Sequence, residues 1–423
     1  MKYKVLIGLD WADRKHDGCI SVSGKLERFQ LKHTPENIHE WVCSLKKRFR
    51  GEKFAVVLEL KSGPLFTALL KYDCFDLYPL NPKTLSEYRK AFSPSGAKDD
   101  PTDAEFMLEI LERHPERLSV WRPQDPKTRE LQILVEQRRT LVNDRKRVGN
   151  RLTSLLKGYF PLVLQLFPKM GRTILSEFLL CYPTLSMAQA ASEQELIAFF
   201  RKHRSYSRIK SKITLIKKAM PITEDPVLIE TSALTATAYA RQILAMKKSE
   251  EEFEKRISVL FESHKDAKLF SSLPATGEHT APRLLAAFGT DRDSFHSASE
   301  FQCYAGIAPV LERSGKESWT HWRFLCNKFL RQSIHEWAGI TIQHSLWARA
   351  FYAMQRKKGK SHPKAIRALS YKWIRIIFRL WKNNDTYSEQ KYLMALQRTG
   401  SPIITFLAQN KNLEKLSFSN TYT

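Results

Sequence analysis

Hydrophobic and polar positions in the first 125 residues alternate over short stretches, as strands and helices of a mixed α/β domain do. A helix is predicted to begin at Thr34 and Pro35, which supply an N-cap and a proline at the first helical position. The predicted strands are residues 4–9, 18–24, 26–31, 54–60 and 76–80. This order of elements fits several α/β arrangements, so it predicts the class of the domain but not its topology.

Residues 126–265 carry a repeat that is typical of long helices packed side by side. The main apolar line contains Leu134, Leu141, Val148 and Leu155. Leu131 and Leu152 lie on a neighbouring line, which Arg138 and Arg145 interrupt. We expect an antiparallel helical hairpin or coiled coil. Its basic face and the basic segment 205–218 are either solvated or in contact with nucleic acid.

Residues 266–384 contain, near their start, the segment LFSSLPATGEHTAPRLLAAFG, which predicts a helix end, a tight turn near Gly277 and a second helix. The segment is similar to a helix-hairpin-helix, with Ala275 at the usual first glycine. A later helix ends near Trp381. Its predicted core line is Ile366, Leu369, Trp373, Ile377 and Leu380, and the basic residues left for a partner are Arg367, Lys372, Arg375, Arg379 and Lys382. We expect Trp319, Trp322, Trp337 and Trp347 to be core residues. The tail 385–423 is polar and suggests no role.

The charge of the chain indicates a polyanionic partner. The 423 residues contain 69 Lys and Arg against 44 Asp and Glu, which gives a formal net charge of +25. Nucleic acid is the first candidate and an anionic membrane surface the second. No run of 18 apolar residues occurs, so a membrane span is not expected. The six scattered cysteines are expected to be reduced and mostly buried, as in a cytosolic protein.

Four carboxylates stand where a metal site could form. Asp10 and Glu59 lie at or near the ends of apolar strands, and Asp100 and Asp103 are three residues apart at a predicted helix start. Buried charges are costly unless they bind something, and carboxylates suit octahedral Mg²⁺. The alternative is that Asp100 and Asp103 cap a helix that begins with Pro101, and that Asp10 is a turn residue.

Ser314 precedes Gly315 in a basic segment, ERSGK, which by itself predicts only a turn. A serine nucleophile would conserve the energy of a phosphodiester as a phosphoserine link, whereas hydrolysis by water would not. Candidate phosphate contacts beside Ser314 are Arg313, Lys316, His321 and Arg323.

These motifs, taken in order, resemble the DEDD insertion-sequence transposases over about residues 4–380. The matching segments are GLDWA, VLEL, KDDPTDA, LPATGEHTAPRLLAAFG, YAGIAPVLERSGK and NKFLRQSI. The chain departs from the family's frequent PGIG, which is LPATG here, and has CNKFLR where a Gly-Asn segment is usual. These departures leave the DNA contacts of the C-terminal part less defined than the carboxylate set.

The resemblance implies an α/β plus all-α architecture. A RuvC-like, ribonuclease-H-like DEDD domain would span residues 1–125 and a helical coiled-coil region 126–265. A mostly helical, serine-bearing transposase domain would span 266–384, followed by the tail 385–423. It also implies that Asp10, Glu59, Asp100 and Asp103 bind Mg²⁺ and that Ser314 is the nucleophile.

The partners that the resemblance implies are donor and target DNA, a non-coding bridge RNA and further copies of the chain in a dimer or tetramer. No membrane partner is expected, and the location would be the cytoplasm of a bacterium or archaeon, near the nucleoid. Two other functions fit the residues. One is a RuvC-like Holliday-junction nuclease that hydrolyses DNA without a covalent intermediate, and the other is a non-catalytic nucleic-acid-binding protein.

Overall fold

The computed structural model describes residues 3–59, 63–92, 100–168, 173–315 and 317–410. The chain divides into two compact units, Met1–Pro123 and Gln124–Thr423. The first unit contains a five-stranded mixed sheet, and the second is mostly helical with one two-stranded hairpin in its described part. The predicted combination of an α/β N-terminal region with a mostly helical remainder is therefore confirmed. The finer division of the second unit remains a prediction.

The sheet of the first unit has the strand order β3-β2-β1-β4-β5. Its strands are β1 (Val5–Asp10), β2 (Lys15–Val22), β3 (Lys25–Lys32), β4 (Phe54–Glu59) and β5 (Phe75–Leu80). Antiparallel pairs join β1 to β2 and β2 to β3, whereas β1, β4 and β5 run parallel. Ser23 and Gly24 both have positive φ, 51° and 84°, which matches the tight hairpin turn between β2 and β3. Strands occur at all five predicted places.

Helices pack on both faces of this sheet. They are α1 (Pro35–Arg48), α2 (Pro64–Leu69), α3 (Pro82–Phe92) and α4 (Asp100–Arg113), followed by a 3-10 turn at Pro115–Arg117. α1 begins as predicted, since Thr34 Oγ1 accepts a hydrogen bond from the Asn37 amide at 3.2 Å. Alternate residues of β1 divide between two cores: Val5 and Ile7 belong to the core of α1, and Leu6 belongs to that of α4.

The position of α4 depends on Gly8 in the middle of β1. A Cβ atom on Gly8 would lie 2.1 Å from the carbonyl oxygen of Ala104 in α4. The Cys19 thiol on β2 donates to the same oxygen at 3.1 Å. Because no side chain separates the helix from the strand, the first turn of α4 is held directly against β1.

Two long antiparallel helices, α5 (Pro126–Tyr159) and α11 (Pro226–Glu262), form the frame of the second unit. Three ion pairs join the helices, and their residue numbers rise along α5 as they fall along α11, as antiparallel packing requires. They join Glu130 to Arg256, Arg138 to Glu254 and Arg145 to Glu250. The packing places a continuous strip of α5 against α11, in the region where the sequence predicted paired helices.

The buried strip of α5 follows the second predicted line rather than the main one. Leu131 and Leu152 are fully buried, whereas Leu134 and Leu141 are only half-buried. Arg138 and Arg145 lie on this strip and do not face solvent, because Glu254 and Glu250 of α11 neutralise them. The predicted main line is therefore only partly correct: Val148 is buried, whereas Leu134, Leu141 and Leu155 are half-buried. Acidic partners more than 100 residues away allow arginines into the seam.

The remaining helices of the second unit gather around two cores. Around one end of the long pair lie α6 (Leu162–Leu166), α7 (Thr173–Cys181), α8 (Leu185–Ala190), α9 (Glu193–Lys202) and α10 (Ile209–Lys218). The other core contains α12 (Ala267–Ser271), α13 (Thr280–Phe288), a 3-10 turn at Arg292–Ser294, α14 (Ala298–Tyr304), α15 (Lys328–His344), α16 (Leu346–Lys357), α17 (His362–Asn383), α18 (Glu389–Arg398) and α19 (Pro402–Gln409). A hairpin of β6 (Val310–Ser314) and β7 (Glu317–His321) precedes α15.

Tryptophans dominate the second of these cores. Trp337 and Trp347 are fully buried, as predicted, whereas Trp322 is half-buried and Trp319 is 46% exposed. In α17 the predicted core line is correct except at its end, where Leu380 is half-buried. Trp381 is buried instead, and its Nε1 donates to the Gly289 carbonyl at 2.8 Å.

The described part of the segment 385–423 is structural. Leu396 of α18 and Ile403 and Leu407 of α19 are buried in the tryptophan core. Just before α18, the Tyr387 hydroxyl accepts a hydrogen bond from Trp347 Nε1 at 2.8 Å. These helices therefore complete a core that the polar composition of the segment did not suggest.

Two expectations from composition have mixed outcomes. All six cysteines are free, but only Cys19 and Cys74 are buried. Three of the others lie at half-buried or exposed helix positions, and Cys326 lies in the loop before α15. No helix in the described ranges combines the length and the apolar character that crossing a membrane requires.

Candidate active site

The structure places Asp10 and Glu59 side by side at one edge of the sheet. The parallel pairing of β1 and β4 runs to Leu9 and Leu58, and Asp10 and Glu59 are the next residues on the two strands. Neighbouring strands lie about 5 Å apart, so the two backbones are close. Asp10 is 9% exposed and Glu59 is half-buried. Two acidic side chains therefore end two neighbouring strands.

Asp103 belongs to α4, the helix that covers the same face of the sheet. The alternation of side chains places Asp10 on the face of Gly8, and Glu59 on the face of Val57, which belongs to the α4 core. Ala104, the neighbour of Asp103, is the residue that touches Gly8. Asp103 is 3% exposed. Asp100 is the first residue of α4, and its side chain lies outside the described part of the structure.

An arginine from α3 holds Asp103. Arg89 Nε donates to Oδ1 of Asp103 at 2.6 Å, and Arg89 Nη2 donates to Oδ2 at 2.5 Å. Such a bidentate pair satisfies a buried carboxylate that would otherwise be very costly. Sequence reasoning missed Arg89, because the pair joins two helices and no local spacing marks it.

Two further residues beside Asp10 were also missed. Asp17 on β2 is the cross-strand partner of Asp10, which puts both side chains on one face, and Gln30 donates to Asp17 at 2.8 Å. His16 is fully buried, and its Nδ1 accepts the Ala12 amide at 3.1 Å. Burial, followed by the proximity of His33, lowers the pKa of His16 to about 4, so the ring is neutral at pH 7. It fixes the loop that follows Asp10.

The donor set fits a hard divalent cation in its chemistry. Carboxylate oxygens are the ligands that Mg²⁺ prefers, and Asp10, Glu59 and Asp103 lie on one face of the sheet. Among the described side chains, which do not include that of Asp100, no three acidic, histidine or cysteine groups converge on a common point. Both oxygens of Asp103 already accept hydrogen bonds from Arg89, so a cation at Asp103 would share the carboxylate with that guanidinium or displace it.

Ser314 lies at the end of β6, at the tip of the hairpin. It pairs with Glu317 of β7, and Gly315 in the turn has a φ of 58°, a conformation that favours glycine. All described residues from 311 to 321 are exposed. The Ser314 hydroxyl makes no hydrogen bond to a described residue. The serine is accessible but not activated in this state.

The basic residues near Ser314 differ in their availability. His321 Nε2 lies 2.9 Å from a carboxylate oxygen of Glu312, and Arg323 donates to the Ala308 carbonyl at 3.2 Å. Arg313 is exposed and pairs through its backbone with Ser318. Lys316 lies outside the described residues. Arg313 is therefore the candidate phosphate contact that the fold leaves open.

The basic side chains of α17 are partly used within the fold. Arg367 lies 4.1 Å from the centre of the Trp322 ring, and Lys372 lies 5.4 Å from that of Phe351. Lys382 donates to the Arg292 carbonyl. Arg375 and Arg379 are exposed. Arg375 and Arg379 are therefore the most open of the five, whereas the other three also contact an aromatic ring or a carbonyl oxygen. That all five contact a partner stays a prediction.

The LPATG loop between α12 and α13 carries a backbone feature that its sequence does not favour. Ala275 has a φ of 57°, in the left-handed region where glycine is preferred. This is the position at which the helix-hairpin-helix pattern usually has glycine. His279 is the N-cap residue of α13, and its side chain accepts no hydrogen bond from the first amides of this nine-residue helix.

Two family models match the chain, one in each part that contains a candidate site. The model of the DEDD transposases of the IS110 type, described as "Transposase", matches residues 7–161. The model described as "Transposase IS116/IS110/IS902 family" matches residues 267–353. The first span includes all four carboxylates, and the second includes Ser314.

The proteins to which the chain is similar include ones named as transposases or as proteins of insertion elements. A protein of Streptomyces coelicolor named "Mini-circle putative transposase for IS117" is 25% identical over 403 residues, which cover 92% of this chain and 96% of that protein. The "Insertion element IS110 uncharacterized 43.6 kDa protein" of the same organism is 25% identical over 70% of this chain and 74% of its own length. A "Pilin gene-inverting protein" of Moraxella bovis is 31% identical over 29% of this chain and 39% of its own length.

The two models match in the order in which the motifs occur, and the first named relative is matched over almost its whole length. The chain belongs to the DEDD transposases of the IS110 family.

Proposed function

We propose that the chain is a transposase that cuts and rejoins DNA strands, with a Mg²⁺-dependent carboxylate site and Ser314 as the nucleophile. The observation that carries this proposal is the gathering of Asp10, Glu59 and Asp103 on one face of the sheet. The strand order β3-β2-β1-β4-β5 supports a ribonuclease-H-like DEDD domain. The name of the Moraxella bovis relative, which denotes gene inversion, favours rejoining over simple hydrolysis.

Asp10, Glu59, Asp100 and Asp103 would hold the metal. Bound there, Mg²⁺ supplies positive charge for the scissile phosphate and for the oxygen that leaves. The protein contributes a rigid support, because Asp10 and Glu59 end buried strands and Asp103 sits on a helix pressed against Gly8. Arg89 orients Asp103 through two hydrogen bonds to its carboxylate.

Ser314 would attack the phosphorus and lose its proton, while the 3′ oxygen leaves as a hydroxyl. The product is a 5′-phosphoserine link that a free 3′ hydroxyl reverses later, so phosphodiester energy is conserved. The exposed hairpin tip and the adjacent Gly315 allow the close approach that this step needs. Arg313, on the same strand, would contact the phosphate.

DNA and a bridge RNA would account for the net charge of +25. Besides Arg375 and Arg379, the helical region around α10 offers a basic cavity of about 910 Å³. Arg204, Arg208, Lys212 and Lys247 line it, together with three serines. This region lies between the two spans that the family models match. A dimer or tetramer in the bacterial or archaeal cytoplasm, near the nucleoid, is part of the same proposal.

The test is a strand-transfer assay on DNA that carries the ends of the element, with purified protein and Mg²⁺. Ser314→Ala is expected to lose transfer by at least about 10³-fold, the size of effect that removing an essential group has. Ser318→Ala, on the opposite strand of the same exposed hairpin, serves as the matched control and should retain activity.

The other outcomes separate the alternative functions. Metal-dependent nicking that is equal in wild type and Ser314→Ala would favour a hydrolytic nuclease. DNA binding without metal-dependent cleavage in the wild type would favour a non-catalytic protein. Either result contradicts the proposal.

A further inference from the structure

A cavity of about 670 Å³ opens beside the hairpin that carries Ser314. Its volume falls within the range of about 300–1,000 Å³ that is usual for sites of small organic groups. Pro309, just before β6, and Thr320 of β7 form one wall, and residues of α16 and α17 form the other. None of the residues considered above as catalytic lines it.

The walls of the cavity combine aromatic and basic side chains. Phe351 and Tyr371 line it, and the Tyr371 ring is exposed. Lys360, Lys364 and Arg367 lie around it, and Arg367 is held against Trp322 at 4.1 Å from the ring centre. A flat ring beside positive charges matches the two parts of a nucleotide, a base that stacks and a phosphate that is anionic.

Gln355 also lines the cavity, and its carboxamide makes no hydrogen bond to any residue that the structure describes. The residue is only 6% exposed, but its carboxamide atoms are not cut off from water, so they are accessible from the cavity. A carboxamide offers one donor and one acceptor side by side, which is the pattern that base edges complement. The amide of Gln355 is therefore available to a ligand with a matching edge.

The distance from the cavity to Ser314 suits adjacent nucleotides. Thr320, which lines the cavity, pairs with Leu311, and Leu311 is three residues from Ser314 along β6. At about 3.3 Å per residue, this spacing is about 10 Å. A strand whose phosphate meets Ser314 would thus bring a nearby base to the cavity.

We propose that this cavity binds one unpaired base of the DNA strand that Ser314 attacks, with Tyr371 stacking on it and Gln355 bonding to its edge. Lys360 and Lys364 bind the neighbouring phosphates. The proposal rests on the proposed function, since that function identifies the strand. In this proposal a base must leave its pair and enter the cavity before the strand is cleaved.

The experiment measures binding without chemistry. Fluorescence anisotropy is recorded in EDTA for the full chain in a Ser314→Ala background, with ten-nucleotide strands of dA, dT and dC. Tyr371→Ala is expected to weaken binding by about 5- to 150-fold, the value of stacking one base. Gln355→Leu should weaken binding of at least one of the strands by about 2- to 10-fold. Phe92→Ala is the matched control, because Phe92 is an exposed aromatic residue (58%) at the end of α3 in the first unit and should change nothing.

A second readout separates binding from folding. Gln355→Leu replaces an amide that makes no hydrogen bond within the described structure by an apolar group of similar size, so its melting temperature should not fall. A fall in melting temperature, or unchanged affinity in both variants, would overturn the proposal.

Two further probes fix the identity of the ligand. A ten-base-pair duplex should bind the variants and the parent chain equally, because its bases are paired. Tighter binding of RNA strands, with the same losses in the variants, would assign the cavity to a guide RNA and contradict the proposal. Strand transfer by Ser314→Ala would refute the proposed function but leave these binding results unchanged.

Discussion

The carboxylate edge of the first unit and the serine hairpin of the second are built in opposite ways. Asp10 and Asp103 are almost fully buried, and Asp103 is held by two hydrogen bonds from Arg89. Ser314 is exposed at a hairpin tip, and its hydroxyl has no partner among the described residues. Within the fold, packing and hydrogen bonds already hold the carboxylates in position. The side chain of Ser314 has no such contacts, so we expect a ligand or a partner to provide them.

The difference follows from what each element packs against. β1 and β4 are central strands of a five-stranded sheet between two apolar cores. β6 and β7 form a sheet of two strands, and such a hairpin is marginally stable alone in water. Leu311 and Trp319 on it are 56% and 46% exposed. We therefore expect the hairpin to be ordered fully only when it is covered.

The largest effect should come from the carboxylate edge. Asp10→Asn should reduce strand cleavage by at least about 10³-fold, because the interaction of the metal with the phosphate contributes several kcal/mol. DNA affinity in EDTA should not change. Asp73→Asn, whose side chain is 95% exposed in the same unit, is the control and should cleave normally. Equal cleavage by Asp10→Asn would remove the carboxylate edge from the mechanism.

The next effect concerns the pair between Arg89 and Asp103. Arg89→Ala leaves a buried carboxylate unpaired and should lower the free energy of unfolding of the metal-free protein by about 3–5 kcal/mol. Mg²⁺ should restore part of this loss, since a cation replaces the guanidinium. Denaturant unfolding with and without Mg²⁺ measures both. Lys90→Ala, at an exposed site of the same helix, should have little effect and no metal response. A loss that Mg²⁺ does not reduce would show that Asp103 does not take part in metal binding.

A smaller effect should appear in the pH dependence of the first unit. Burial lowers the pKa of His16 to about 4, from an ordinary value near 6.5. The unfolded chain therefore takes up a proton between these values while the folded chain does not. The stabilisation is complete above about pH 6.5 and falls by up to about 3 kcal/mol as the pH drops to about 4. The free energy of unfolding, measured from about pH 4 to about pH 6.5, should change less with pH in His16→Gln than in the wild type. An equal change in both proteins would contradict the burial of a neutral ring.

The smallest effect concerns the loop before α13 in the second unit. Ala275→Gly should raise the free energy of unfolding by about 0.5–1 kcal/mol, because it relieves a left-handed alanine. Ala245→Gly, at an exposed position within α11, should have the opposite sign, with a loss of about 1 kcal/mol. A loss at both positions would mean that the loop is not strained.

Local patterns in the sequence predicted the features that depend on neighbouring residues. The five strands, the cap at Thr34 and the approach of Asp10 to Glu59 all follow from alternation and strand ends. Pairs that join distant segments could not be predicted this way. Arg138 with Glu254 is an example, since nothing near either residue identifies the other.

The candidate site shows the same limit. The sequence indicated Asp103 but not Arg89, which comes from another helix, nor Asp17, which joins the edge only through strand pairing. It indicated Ser314 but not how exposed the hairpin is, because exposure depends on what the rest of the chain leaves uncovered.

The most direct test of the central claim is a search for the covalent intermediate. Wild-type protein is incubated with DNA that carries the ends of the element and Mg²⁺, quenched in denaturant, digested and analysed by mass spectrometry. A serine nucleophile predicts a 5′-linked nucleotide on the peptide that contains Ser314, absent from Asp10→Asn and Ser314→Ala. Free 5′ phosphates with no peptide adduct, or an adduct on another residue, would contradict it.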